Sequence, residues 1–229
     1  MTTKTARKEN STNTKNRIES LMVVVPQIEL VNLEIKIVGD SPLICHAWAD
    51  KAKKEILDKQ QKKAKQAKEA KVPAHDFASS LYWLTDRPTS LSDDPDEAML
   101  AVTEAVRDGR FGILSNAFKM CAVSACRFVD GMAMTEARGA FYVNGEFVEI
   151  ESSPPIMRED MVRLGGKSAD IRYRGEFTDW GVTLSITLNR LAMSAAQVVN
   201  LFNLGGFGVG VCEWRPEKNG PYGRFHVGE

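Results

Sequence analysis

An α+β fold is predicted by three observations on the sequence. Residues 28–38 and 180–189 alternate apolar and polar side chains, which is typical of half-buried strands. Residues 113–129 and 195–204 instead carry apolar side chains at helical spacing. Strands and helices are interleaved along the chain, and 43% of its residues are hydrophobic, which is enough to build a core. We therefore expect a single α+β domain over residues 21–229, preceded by a disordered tail at residues 1–20.

The remaining elements have weaker local signals. Residues 50–71 contain no Gly or Pro and predict a helix by propensity. Residues 96–108 predict another helix, and the alternation of residues 169–177 predicts a strand. Asn144-Gly145 lies between two short apolar runs and predicts a hairpin. Residues 157–167, with two consecutive glycines, predict a flexible loop.

The C-terminal part of the chain has the clearest helix start. Ser194 and Gln197 have the spacing of a capping box, so a helix should begin at residue 195 and end at Gly205. Strands are predicted at residues 207–214 and 222–227.

The order of these elements predicts the type of α+β fold. Without residues 40–112 and 130–168, which we interpret as insertions, the order is strand, helix, strand, strand, helix, strand. This is the ferredoxin-like, or split βαβ, arrangement. Such a sheet packs both helices on one face and leaves the other face free, as in RNA-recognition (RRM-like) modules.

The charge of the chain is balanced overall but separated along the sequence. The formal net charge is zero, with 30 basic and 30 acidic residues. Residues 1–20 hold five basic and two acidic residues, and residues 51–71 hold nine Lys and three acidic residues. The rest of the chain holds 16 basic and 25 acidic residues and is therefore acidic. This separation indicates either a partner that binds one surface or self-association between unlike surfaces.

Two basic clusters are candidate nucleic-acid contacts. The lysine run could neutralise phosphates, or it could be a solvated helix that only aids solubility. The second cluster surrounds residues 158–174, where two arginines should share the exposed face of a strand beside a basic loop. Its alternative is ordinary arginines paired with nearby acids. The candidate residues are Lys51, Lys53, Lys54, Lys59, Lys62 and Lys63 in the lysine run, with Lys65, Lys68 and Lys71 beyond them, and Arg158, Arg163, Lys167, Arg172 and Arg174 in the second cluster.

Three short stretches resemble the RAMP superfamily, the RNA-binding backbone and processing proteins of CRISPR effector complexes. They are Gly205-Gly206-Phe207-Gly208-Val209-Gly210 with Tyr222-Gly223-Arg224-Phe225, Leu33-Glu34-Ile35-Lys36-Ile37 with Ser41-Pro42-Leu43, and Ile113-Leu114-Ser115-Asn116-Ala117-Phe118-Lys119.

The resemblance implies RNA binding near the glycine-rich end of the chain. The usual basic residue between the paired glycines is replaced by Val209 and Val211, and the basic residues Arg215, Lys218 and Arg224 follow downstream. The whole chain also resembles uncharacterised proteins of tailed bacteriophages.

Several function classes have no signal in the sequence. The glycine-rich stretch fits neither a dinucleotide fingerprint nor a phosphate-binding P-loop. The three histidines are isolated from one another, and no apolar run is long enough for a membrane span. We expect neither enzymatic activity nor a cofactor, and a cytoplasmic location, that of the host cell if the protein is viral. The cysteines have no metal-ligand spacing and are interpreted as buried thiols: Cys45, Cys121, Cys126 and Cys212.

Two functions remain open at this stage. The first is binding of single-stranded RNA or DNA through the backbone, with assembly into a homo-oligomer or filament. The alternative is a phage structural or assembly protein in which the lysine run meets an acidic surface of a neighbour. Neither hypothesis involves a membrane.

Overall fold

The α+β class is confirmed by the computed structural model, which describes residues 25–48, 50–63, 71–164 and 168–228. The predicted disordered tail at residues 1–20 lies outside the described residues, as do Lys65, Lys68 and Lys167. The strands are β1 (Leu30–Gly39), β2 (Leu43–Cys45), β3 (Gly112–Leu114), β4 (Phe141–Val143), β5 (Phe147–Glu149), β6 (Glu151–Ser152), β7 (Ile156–Leu164), β8 (Ser168–Phe177), β9 (Trp180–Asn189) and β10 (Phe225–Val227). The α-helices are α1 (Asp50–Gln60), α2 (Pro73–Ser80), α3 (Pro95–Asp108), α4 (Ser115–Ala125), α5 (Met134–Ala140) and α6 (Ala195–Gly208).

The central sheet has the strand order β10-β1-β9-β4, with every neighbouring pair antiparallel. Strands β1 and β9 pair over nine residues, from Leu30 opposite Asn189 to Val38 opposite Gly181. Alternate side chains of both strands point into the core, where Ile37 and Leu184 are fully buried. Helices α4 and α6 pack on this face, and the other face is left open.

The composition of this sheet corrects the predicted pairing. Strand β8 was expected beside β9, but it belongs to a second sheet with the order β2-β8-β7. The succession strand, helix, strand, strand, helix, strand is present in the central sheet as β1, α4, β4, β9, α6 and β10. Its second strand, β4, comes from residues 130–168, which were interpreted as an insertion. Alternation identifies a strand but does not specify the strand with which it pairs.

The predicted loop is wrong for residues 157–164, because residues 156–164 form strand β7, and its last three residues lie outside the described residues. This strand pairs with β8 from Ile156 opposite Glu176 to Leu164 opposite Ser168. The charged run Arg158-Glu159-Asp160 hides the alternation, since charged side chains lie on both faces of the strand. We call β7 and β8 together the arginine hairpin.

The glycines of the C-terminal helix were misinterpreted. The capping box of Ser194 and Gln197 is present, but α6 continues past Gly205 to Gly208. A Cβ on Gly206 would lie 2.0 Å from the carbonyl oxygen of Phe225, so this glycine permits close packing and does not end the helix. The predicted strand at residues 207–214 is absent, because Cys212 and Trp214 take left-handed φ values of 63° and 54°.

Two other predictions are partly right. Gly145 makes a turn at φ +83°, but β4 pairs with β9 and β5 pairs with β3, so the flanking strands do not form a hairpin with each other. The predicted helix at residues 113–129 is divided into strand β3, helix α4 and a short 3-10 turn at Cys126–Phe128.

Candidate nucleic-acid interface

Helix α1, which we call the lysine helix, is exposed along its described length. Lys53, Lys54 and Lys59 lie on it, together with Lys51, and Lys62 and Lys63 follow its end. Its two large apolar side chains, Ile56 and Leu57, are 42% and 50% exposed. The helix therefore contributes no buried apolar side chain to the core from residue 53 onward, and its described lysines face solvent.

Two members of the lysine run, Lys63 and Lys71, contact carboxylates. The ammonium of Lys63 lies 2.9 Å from Asp58. Lys71 lies 3.0 Å from Asp170 and 3.8 Å from Asp76, and it also donates a hydrogen bond to the carbonyl oxygen of Ile171. Lys71 is therefore attached to the arginine hairpin and is not part of the lysine helix.

Arg158 is committed to internal contacts on the arginine hairpin. Its Nε lies 2.8 Å from Asp160, and its Nη1 lies 2.8 Å from Glu176. The guanidinium also lies over the ring of Tyr222, 4.8 Å from the centroid. The hydrogen bond to Glu176, followed by the one to Asp160, raises the pKa of Arg158.

The predicted position of Arg174 on an exposed face is wrong. Its side chain is 3% exposed, and its Nη1 donates to Asp160 at 3.0 Å. Its Nη2 lies 3.8 Å from Glu213, which belongs to the segment between α6 and β10. Arg172 and Arg174 point to the same side of β8, as their spacing predicts. Arg174 is nevertheless buried, and the C-terminal segment that carries Glu213 contributes to covering it.

Two hairpin arginines remain accessible. Arg172 is one-third exposed, and its Nε lies 3.7 Å from Asp170, longer than a hydrogen bond. Arg163 is exposed near the far end of β7. The hairpin therefore offers fewer accessible cations than its sequence indicates.

The basic residues of the C-terminal segment are mostly held by local partners. Arg215 donates to Glu217 through Nε and Nη2 at 3.2 and 2.9 Å, and its Nη1 donates to the carbonyl oxygen of Cys212. Hydrogen bonds from Arg127 and then from Arg215 lower the pKa of Glu217. Arg224 donates to the carbonyl oxygen of Pro221 at 3.3 Å, whereas Lys218, in a short 3-10 turn, is exposed.

A cavity of about 380 Å³ lies between helix α4 and the C-terminal segment. Both acidic and basic side chains line it. The imidazole of His46, whose Nδ1 lies 3.8 Å from Oε1 of Glu213, and then the charge of Arg174 lower the pKa of Glu213. The sequence has no signal for this cavity, because its lining comes from parts of the chain that are far apart. The lining includes His46, Tyr82, Met120, Cys212, Glu213 and Arg215.

The open face of the central sheet is polar. Asn144 donates from Nδ2 to the hydroxyls of Ser185 and Thr187, at 3.2 and 3.1 Å. Tyr142 is 58% exposed, and the ammonium of Lys119 lies 3.7 Å from the centroid of its ring. Sequence reasoning predicted a free face but missed these residues, although the alternation of β9 places Ser185 and Thr187 on it.

Other kinds of site have no support in the described part of the chain. No group of three or more His, Cys, Asp or Glu side chains there could hold a metal ion. Among the helices within the same residues, none has both the length and the apolar character needed to cross a membrane.

Comparisons with known proteins add one structural likeness. No protein-family model matches the chain, and no curated protein matches it. Among solved structures, the chain is similar to Cmr6 from Pyrococcus furiosus, with 12% sequence identity and a TM-score of 0.35. The match covers 88% of this chain and 100% of that one. At this TM-score, the likeness carries no argument about function.

Proposed function

We propose that the protein binds single-stranded nucleic acid, with the lysine helix as its main contact to phosphates. The observation that supports this function is the exposure of the lysine helix: its described side chains from residue 53 to residue 63 are accessible and contribute nothing fully buried. Cations on such a helix can approach a phosphate backbone without breaking the core.

Few acidic residues lie near three of the lysines of this region, Lys54, Lys59 and Lys62. Glu55 and Asp58 are the acidic residues from position 53 to 63, and Asp58 already contacts Lys63. Within the residues that the structure describes, no carboxylate pairs with Lys54, Lys59 or Lys62. These three side chains are therefore the phosphate contacts that we propose, and Arg163 and Arg172 of the hairpin would extend the surface.

The open sheet face favours a single strand over a duplex. Tyr142 offers an exposed ring beside the ammonium of Lys119, and stacking on aromatic rings next to cations is how many proteins hold unpaired bases. The hydroxyls and amide near this ring could bond to the Watson–Crick edges of bases, which base pairing occupies in a duplex.

The test is to replace Lys54, Lys59 and Lys62 together by Gln and to measure binding of labelled oligothymidylate and oligouridylate by fluorescence anisotropy over a range of salt. Each lost contact should flatten the plot of log affinity against log salt by about 0.7, so the triple variant should flatten it by about 2. The matched control replaces Arg107, Arg110 and Arg190 by Gln. These residues are exposed and paired with acids, and the control has the same change in net charge.

Equal losses in the triple variant and the control would show that net charge, and not the lysine helix, governs binding. Absence of binding by the parent protein to both oligonucleotides at low salt would overturn the proposal.

A second candidate function is homo-oligomeric assembly through unlike charges. The observation in its favour is the row of exposed acids on and just before α3, which a second copy's lysine helix could contact: Asp93, Asp94, Asp96, Glu97, Glu104 and Asp108. Light scattering distinguishes the two functions. A mass that rises at low salt without any nucleic-acid binding would favour assembly.

A further inference from the structure

Cys45 and Cys212 lie next to each other although 167 positions separate them in the sequence (212 − 45). The backbone N–H of Glu213 donates to the carbonyl oxygen of Ile44 at 3.1 Å. Cys45 follows Ile44 and Cys212 precedes Glu213, so the two cysteines flank this bond. The neighbouring thiol of Cys212 is the first cause that raises the pKa of Cys45, ahead of burial.

The two thiols differ in access. Cys45 is 1% exposed, so reagents in solution cannot reach it directly. Cys212 is partly exposed and lines the 380 Å³ cavity, which a small molecule can enter. One thiol is therefore positioned to react first and the other to react second, which is the arrangement of an attacking and a resolving cysteine.

Cys212 is held where it meets Cys45. Its φ of 63° lies in the left-handed region, which is uncommon for a residue with a side chain. Arg215 donates to its carbonyl oxygen at 3.1 Å, and Gly223 donates to the carbonyl oxygen of Pro42 at 2.9 Å. The bond from Gly223 to Pro42 and the bond from Glu213 to Ile44 join the C-terminal segment to the chain around β2.

We propose that Cys45 and Cys212 form a reversible disulfide by exchange with a small-molecule disulfide. The thiolate of Cys212 attacks one sulfur of that molecule, its S–S bond breaks, and the leaving thiolate takes up the proton from Cys212. The thiolate of Cys45 then attacks Sγ of Cys212 and releases the second small thiol, which takes up the proton from Cys45. Two protein thiols are oxidised by two electrons, and one small disulfide is reduced to two thiols.

The disulfide would link strand β2 covalently to the segment that carries Glu213 and Arg215. Both residues line the cavity, so oxidation would fix one wall of the cavity against the second sheet. Reduction by an excess of small thiol would restore the two thiols. This site is independent of the proposed nucleic-acid surface.

The other two cysteines serve as internal controls. Cys121 also lines the cavity but is only 2% exposed, and its thiol packs against the backbone of α6 at Gly205. Burial is the main cause that raises its pKa to about 12. Cys126 is buried, and its thiol contacts the carbonyl oxygen of Ala122 in the preceding helix α4 at 4.0 Å. Both should remain reduced when Cys45 and Cys212 are oxidised.

The experiment incubates the whole protein with glutathione disulfide, blocks the remaining thiols with N-ethylmaleimide, and maps the non-reduced peptides by mass spectrometry. We expect one peptide pair joined through Cys45 and Cys212, with Cys121 and Cys126 alkylated. Formation should be faster at higher pH, because the raised pKa of Cys45 leaves little of it as thiolate near neutrality.

Variants check the order of the two steps. Cys45→Ser should accumulate glutathione on Cys212, and Cys212→Ser should leave Cys45 unmodified. Recovery of four alkylated cysteines from the oxidised parent, or of a lasting glutathione adduct on Cys212 of the parent, would overturn the proposal. The peptide map of the parent decides the matter even if a variant fails to fold.

Discussion

The lysine helix and the arginine hairpin are both basic in sequence, but the structure uses their charges in opposite ways. The described lysines of the helix are exposed, whereas Arg158 and Arg174 of the hairpin converge on Asp160. In the pairing of β7 with β8, Arg158 lies opposite Arg174 and Asp160 lies opposite Arg172. The carboxylate of Asp160 therefore lies next to Arg158 on its own strand and diagonally across from Arg174. Basic residues indicate a binding surface only where the fold does not bring acids to them.

The difference follows from what surrounds each element. The hairpin is covered near Arg174 by the C-terminal segment, and a buried guanidinium requires carboxylate partners. The lysine helix buries no described side chain, so its charges remain hydrated and cost little. We therefore expect the hairpin arginines to act mainly on stability and the helix lysines mainly on binding.

The largest expected effect is on folding. Arg174→Ala should lower the free energy of unfolding by about 3 kcal/mol, because it removes one partner of a buried ion pair. Urea denaturation followed by circular dichroism measures it. Arg163→Ala, on the same hairpin but exposed, is the matched control and should change stability by less than about 0.5 kcal/mol. If the two variants unfold at the same urea concentration, the distinction between buried and exposed arginines is wrong.

A smaller effect on stability is expected when the pH is lowered, through the carboxylate of Glu213. The pKa of Glu213 is held below its ordinary value of 4.5 by the neighbouring His46 and by Arg174. The ionised carboxylate therefore stabilises the fold fully above about pH 4.5, and this contribution is lost as the pH falls through the lower pKa of the folded protein.

Glu213→Gln tests this sign. The variant should be less stable than the parent at pH 7, and the difference in thermal midpoint should shrink as the pH is lowered below about 4.5. Thermal melts at several pH values measure it. A difference that stays constant over this range would show that Glu213 acts through packing and not through its charge.

The smallest expected effect is on the stability of the lysine-helix variant. Replacing Lys54, Lys59 and Lys62 by Gln should change the free energy of unfolding by no more than about 0.5 kcal/mol per residue, as for other exposed sites. The same variant should bind with a flatter dependence of affinity on salt. A large loss of stability would mean that the helix docks on the body and that its lysines are not a free surface.

Local signals in the sequence predicted the elements that depend on neighbouring residues. The capping box at Ser194 and Gln197 correctly predicted the start of α6, and the alternation of residues 180–189 correctly predicted β9 and its buried face. The candidate site was harder, because exposure of a basic residue depends on distant chain segments. Arg172 and Arg174 have the same local pattern, yet one is accessible and the other is buried.

The sequence by itself determined the α+β class, the strongly patterned strands and helices, and the separation of charge along the chain. Only the tertiary structure decided which strands pair, why β8 lies outside the central sheet, and which cations stay in solvent. It also placed Cys212 beside Cys45, which no spacing in the sequence indicates. The physical reason is that side-chain period is set by the local backbone, whereas pairing and burial are set by contacts between segments far apart in the chain.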